Sequence, residues 1–244
     1  MIRVTHNFQL TVRRLLLSSS IDPINNQLSA VTGLELNNIS CEKAYRQLFS
    51  GVSASLSSGQ GLHVAGSNGS GKTTLLKIIA GLSSDYHGSI SWRCGDDTHP
   101  FIDKSDLLYL GHLTGVKSLL SPLENLTWWA SLCLPAYPLG SEEISHALQQ
   151  IGLSSELDTP CHFLSAGQQR RVALARLLLS QQRVWILDEP FTALDHSGIG
   201  QIEDCIKRHQ SAGGIVIMTS HQAVNNSELF HLDLADYQQG PVSC

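Results

Sequence analysis

Eight residues, Gly66-Ser67-Asn68-Gly69-Ser70-Gly71-Lys72-Thr73, match the spacing G-x-x-x-x-G-K-[ST] at every position. Glycine at these places lets the backbone curl until several N–H groups point at one centre, which is a cradle for phosphate oxygens. A helix that opens at the end of the run adds the positive end of its dipole. Lys72 then reaches the β- and γ-phosphates of a nucleotide, the Thr73 hydroxyl ligates Mg²⁺, and Thr74 adds a phosphate contact. The chemistry expected of Gly66 through Thr74 is therefore binding of ATP with Mg²⁺.

A second constellation lies far along the chain. Val184-Trp185-Ile186-Leu187 is an apolar strand that ends in Asp188 and Glu189. A carboxylate at the end of a strand can hold Mg²⁺ through water, and Asp188 is the candidate. Glu189, facing the other side of the strand, can polarise the water that attacks the γ-phosphate. Pro190 closes the strand.

These residues need elements to position them. Leu62-His63-Val64-Ala65 reads as a strand entering the glycine run, and Thr73 to about Ala80 as a buried helix stopped by Gly81. Leu34-Glu35-Leu36, Ser89 to Trp92 and Leu107 to Leu110 read as further strands. Ser121, Pro122 and Glu124 have the pattern of a capping box with proline at the first helical position. The helix that follows carries Trp128 and Trp129 and ends before Pro135. Ser141 and Ser165 are the expected caps of two more helices, ending at Gly152 and about Leu179. Strand–helix alternation then resumes: Val184 to Leu187, a helix from Ile199 to about Gln210, and a strand from Ile215 to Thr219. The expected fold is α/β with a mostly parallel sheet core and an inserted helical subdomain over about residues 118–180.

Composition narrows the class. The 244 residues are 42% hydrophobic, enough for one sizeable core, and the net charge of −5 provides no basic field for nucleic acid. No run approaches the roughly 18 apolar residues of a membrane helix. Six scattered cysteines without a Cys-x-x-Cys pair suit neither a zinc site nor a disulfide framework. Residues 1–33 contain Arg3, Arg13, Arg14 and a serine run, and are expected to be a disordered extension ahead of a domain covering 34–244.

Leu164-Ser165-Ala166-Gly167-Gln168 resembles the LSGGQ signature of the ABC ATPase family, with alanine for the first glycine. Ser165, nearby backbone N–H groups and the helix N-terminus can form a second anion site. The resemblance implies that this site closes on ATP held by another subunit. One cradle and one signature per chain then make a homodimer the economical assembly. Ala193-Leu194-Asp195 resembles the family's D-loop, with Asp195 at the dimer interface, and His221 resembles the switch histidine that contacts the γ-phosphate. Two positions depart from the pattern. Leu113 stands where the family usually has glutamine, with His112 beside it, and the adenine-stacking position falls near Lys43, two residues from Tyr45.

Gly111-His112 with Gly115 and Lys117, and Pro122-Leu123-Glu124-Asn125-Leu126, are similar to one branch of that family: the ATP-binding subunit of the haem exporter of cytochrome c maturation, the CcmA family. With other matching stretches the resemblance spans about Leu34 to Gln222. It implies an ATP hydrolase on the cytoplasmic face of the bacterial inner membrane, peripheral to an integral membrane permease. Haem would be handled by the complex and not bound by this chain. Cys161-His162 is a weak ligand pair, because Pro160-Cys161 reverses the order of haem-responsive Cys-Pro motifs. Two alternatives remain open at this level: an ATPase subunit of a different ABC transporter, and a nucleotide-gated ABC module without transport.

Overall fold

The computed structural model describes residues 31–134, 138–220 and 229–238. Its core is a five-stranded sheet made of β3 (Gly61–Ala65), β6 (Leu107–Leu110), β7 (Val184–Leu187), β8 (Ile215–Thr219) and β9 (Leu229–Asp233), in the order β6-β7-β8-β3-β9. Every pairing within it is parallel. Every residue of β7 and β8 is buried. A strand covered on both faces must be apolar at consecutive positions, which is why these two read as continuous hydrophobic runs. Val184, Ile186, Ile215 and Ile217 pack into one core cluster, and Trp185, Leu187, Val216 and Met218 into another.

The first cluster lies under α1 (Lys72–Ile79) and a four-stranded antiparallel sheet. That sheet comprises β1 (Val31–Lys43), β2 (Arg46–Ser57), β4 (His87–Cys94) and β5 (Asp97–His99), in the order β2-β1-β4-β5. It is absent from the sequence-based expectation as a layer of its own. β2 reads as RQLFSGVSASLS, with only Phe49, Val52 and Leu56 fully buried, so its apolar periodicity is too sparse to announce a strand. β1 begins at Val31, so residues 31–33 of the expected extension are strand, and residues 1–30 lie outside the described residues.

The second cluster is shared by the helices on the other side. α2 (Pro122–Cys133), α3 (Ser141–Gln150) and α4 (Ala166–Leu179) pack together through Leu126, Trp129, Ile144, Leu148 and Val172. α5 (His196–Ser211) joins the same cluster through Ile202, Cys205 and Ile206. The Ser121 box is complete: Glu124 N donates to Ser121 Oγ at 3.2 Å and Ser121 N donates to Glu124 Oε2 at 2.9 Å. Ser165 and Gln168 make the same reciprocal pair at the start of α4. α3 differs from expectation. Its cap is Gly140, whose N–H donates to Glu143 Oε2 at 2.8 Å, so Ser141 is the first helical residue instead of the cap. Among the described residues no helix is long and apolar enough to cross a membrane, and five cysteines are free thiols.

His209 on α5 stacks on Trp185 of β7, with ring centroids 3.7 Å apart and planes 7° from parallel. Its Nε2 lies 3.1 Å from the Arg183 carbonyl oxygen. Burial pushes the imidazole pKa down from 6.5 to about 4, against the opposing pull of the Arg183 and Ile215 backbones. A histidine depressed in this way stabilises the fold fully above its unfolded pKa. As pH falls from 6.5 toward 4 the unfolded chain takes up the proton first and that stability is lost. The loss is on the order of 2–3 kcal/mol. The wild-type melting temperature should therefore drop between pH 7 and pH 4.5 by more than that of His209→Phe; equal slopes in the two proteins would show that this imidazole does not carry the effect.

Candidate nucleotide site

Parallel strands deliver their C-terminal ends to one edge, and the register shows what arrives there. Leu110 pairs with Leu187, Leu187 with Met218, and Met218 with His63. One step further along stand Gly111, Asp188, Thr219 and Val64, and the glycine run leaves β3 just beyond, at Gly66.

The run folds back on itself. Ser70 N donates to Ser67 O at 3.1 Å, and Lys72 Nζ donates to the carbonyls of Gly66 and Ser67 at 2.7 and 3.3 Å. Gly71 caps α1 with φ 103° and offers no side-chain acceptor to the first helical N–H groups. A Cβ on Gly71 would stand 2.9 Å from the Phe49 ring. Gly69, at φ 79°, faces open space. Ser70 Oγ is buried and has no partner among the described residues. An uncapped helix start, an ammonium and an unpaired buried hydroxyl suit an anion with several oxygens.

Asp188, 2% exposed, sits beside this loop. Its Oδ2 accepts from Thr73 Oγ1 at 2.9 Å and its Oδ1 accepts from Thr219 Oγ1 at 2.9 Å. A carboxylate and a hydroxyl in contact are hard oxygen donors of the kind Mg²⁺ prefers. The strand ends at Leu187, and Glu189 turns into the left-handed region at φ 51°. Strand alternation therefore stops one residue short of Glu189 and does not by itself orient it. Tyr109 on β6 is half-buried nearby, and desolvation followed by the Asp188 charge pushes its phenol pKa up to about 12.

Residues outside every sequence motif brace the site from α4. Arg170, 5% exposed, donates from NH2 to the Asp188 and Glu189 carbonyls at 3.0 and 2.8 Å, and from NH1 to Gly111 O at 2.9 Å. Burial lowers its pKa, and Asp188 and Glu189 pull it back up. Arg176 donates to Thr114 O at 3.2 Å and Gly115 O at 3.4 Å. Together the two guanidiniums fasten the Gly111–Gly115 loop. Leu113 points to solvent from it at 86% exposure, and His112 is also exposed. A sequence signal existed for Arg176, the one charged residue in the apolar run Val172–Leu179; Arg170 stands beside Arg171 and Gln169 and carries no such signal.

The signature residues open α4. Ser165 and Ala166 are exposed at its N-terminus. Ser165 Oγ accepts from Gln168 N, which leaves the hydroxyl proton free to donate outward. A Cβ on Gly167 would meet Ala193 O at 2.9 Å, so the D-loop backbone presses on this helix. Arg171 pairs with Asp195 at 3.0 Å, and Asp195 caps α5 by accepting from Gly198 N at 2.9 Å. Those contacts, the Gly198 bond first, hold the Asp195 carboxyl below its usual range. Tyr45 stands fully exposed at the β1–β2 hairpin tip, where it and Ala44 both have positive φ. Lys43 pairs with Arg46 behind it. His221 lies outside the described residues.

Residues 49–192 match the family model described as ABC transporter. The chain is 43% identical over 210 residues to the cytochrome c biogenesis ATP-binding export protein CcmA of Saccharophagus degradans, covering 83% of this chain and 93% of that one. It is 45% identical over 192 residues to the protein of the same name from Pseudomonas syringae pv. tomato, covering 79% and 89%. Among solved structures, an ABC transporter ATP-binding protein from Pyrococcus furiosus superposes with a TM-score of 0.73 at 25% identity, covering 85% of this chain and all of that one. A second, an ATP-binding cassette solved as a dimer in a post-hydrolysis state with ADP and Pi, superposes with a TM-score of 0.69 at 20% identity, covering 85% and 99%.

Gly71→Ala should cost about 1–2 kcal/mol of backbone strain and push the loop off Phe49. We expect ATP affinity to fall at least about tenfold, the equivalent of about 1.4 kcal/mol, in a fluorescent-nucleotide titration. Gly81→Ala has a similar positive φ but open space around it. It should lower stability and leave affinity alone; equal affinity losses in both variants would refute the close-approach explanation.

Proposed function

The chain belongs to the ABC transporter family, and within it to the ATP-binding export proteins of cytochrome c biogenesis, and from that premise we propose that it is the ATP-hydrolysing subunit of a membrane complex that handles haem for c-type cytochromes. The observation that carries the proposal is the 2.9 Å bond from Thr73 Oγ1 to Asp188 Oδ2, which joins residues 115 apart in sequence at the mouth of the phosphate cradle.

In this reading the backbone N–H groups of Gly66 to Gly71 and the α1 N-terminus hold the ATP phosphates. Lys72 swings from the Gly66 and Ser67 carbonyls to the β- and γ-phosphates, and Thr74 supports them. Thr73 and Asp188 would hold Mg²⁺, which when bound would neutralise developing charge on the phosphate oxygens. Glu189 accepts a hydrogen bond from the attacking water and orients it in line with the γ-phosphate. His221 contacts the γ-phosphate.

Leu164 to Gln168 of a second copy supply the remaining donors, with Ser165 Oγ and the α4 N-terminus facing the γ-phosphate. Asp195 lies along the same dimer interface. A homodimer thus completes two sites. The membrane-spanning partner docks on the side that exposes Leu113, Leu119, Trp128 and Leu132, four large apolar side chains at 44–86% exposure on the Gly111–Leu120 loop and α2. On this reading the chain works as a peripheral subunit at the cytoplasmic face of the bacterial inner membrane. Haem stays with the partner. The Cys161 thiol is buried, and Asn125 Nδ2 donates to it at 3.3 Å, which supports a structural role for that cysteine.

Lys72→Ala should abolish both ATP turnover and c-type cytochrome accumulation in a complementation strain, because it removes the cation from the phosphates. Glu189→Gln should retain ATP binding and lose turnover by about 100-fold or more. Normal c-type cytochromes in the Lys72→Ala strain would overturn the assignment.

A further inference from the structure

Glu189 is one of five described non-glycine residues with positive φ. That conformation is unfavourable for an ordinary side chain and persists only where its surroundings over-determine it. The surroundings here are two side chains outside all the sequence motifs. On one side Thr219 Oγ1 accepts from Glu189 N at 2.8 Å. On the other, Arg170 NH2 donates to Glu189 O at 2.8 Å and to Asp188 O at 3.0 Å. The peptide carrying the acid is therefore held at both its N–H and its C=O.

Arg170 is an expensive way to do this. A guanidinium at 5% exposure has left water, and its Nε has no partner among the described residues. Its bonds go to main-chain carbonyls alone. The neighbouring Arg176 offers an internal comparison. It lies on the same helix, is 8% exposed, and likewise donates to loop carbonyls, but its bonds go to Thr114 and Gly115 and none reaches Asp188 or Glu189. If α4 needed only a strut to the sheet edge, the two arginines would be equivalent.

We propose that Arg170, with Thr219 opposite, is a positioning residue that holds Glu189 in its left-handed backbone conformation and so fixes where its carboxylate meets the attacking water. The inference rests on the reading of Glu189 as the water-polarising group. A residue that acts only on the aim of the acid changes the chemical step and leaves nucleotide binding in place.

The test uses the full chain purified with its membrane partner in detergent, with phosphate release measured at saturating Mg²⁺. For Arg170→Gln, kcat should fall about 10- to 100-fold, the scale of a misplaced catalytic group. KM for ATP should stay within about threefold, as expected when only the chemical step is touched. Arg170→Lys should recover part of kcat. Arg176→Gln, matched for burial but bonded only to Thr114 and Gly115, should lower kcat less than Arg170→Gln does. Should Arg170→Gln fail to fold, Arg170→Met keeps the length and apolar stem of the buried side chain, removes its donors and should lower kcat in the same way. Unchanged kcat in a folded Arg170→Gln protein, or an equal fall in Arg176→Gln, overturns the proposal. Full turnover in Glu189→Gln would instead overturn the reading of Glu189, whatever Arg170 does.

Discussion

The Asp188 carboxylate, shared between the hydroxyls of Thr73 and Thr219, is the contact on which the rest of the site depends. It ties the first turn of α1 to the ends of β7 and β8, and it does so at 2% exposure, where an unpaired carboxylate would be costly. Three segments distant in sequence meet there because parallel strands in register finish at one edge. The Leu187–Met218 and Val64–Thr219 pairings set Asp188, Thr219 and the start of the glycine run side by side before any side chain is considered. Asp188 N extends the ladder by donating to Leu110 O at 2.8 Å.

Around that contact the fold accepts several locally unfavourable choices. Two guanidiniums are buried on α4, Glu189 and Ala193 adopt positive φ, and Gly66, Gly69 and Gly71 all lie in conformations that other residues rarely take. Each alone would weaken an ordinary domain. Their concentration along one sheet edge is what a preorganised site requires, since strain held by surrounding bonds need not be generated again at each turnover. The helix that carries Ser165 at its exposed end carries Arg170 and Arg171 within its first two turns. One rigid element therefore touches the acid pair, the Gly111 loop and Asp195.

Much of this was legible from local chemistry. The glycine run has one physical use between a strand and a helix. The Ser121 and Ser165 capping boxes need only a hydroxyl and an acid or amide three residues apart, and both formed. β7 and β8 were readable because strands buried on both faces are uniformly apolar. The antiparallel layer was not. β1 contains bulges between Leu36 and Glu42 that break its alternation, and β2 buries too few positions to show a period. The α3 cap was misplaced by one residue because glycine at a cap leaves no polar signature, while the serine after it does.

What the sequence determined by itself was therefore the set of groups and their local frames: a phosphate cradle on a helix start, a carboxylate pair after a buried strand, and a second helix start for another anion. These follow from bonds made within a few residues. Only the tertiary structure decided that Thr73 reaches Asp188, that Arg170 and Thr219 grip the Glu189 peptide from opposite sides, and that Gly167 packs under the Ala193 carbonyl. Those contacts join residues from 19 to 115 positions apart, and the register of the parallel sheet, which no local pattern encodes, is what brings them within bonding distance.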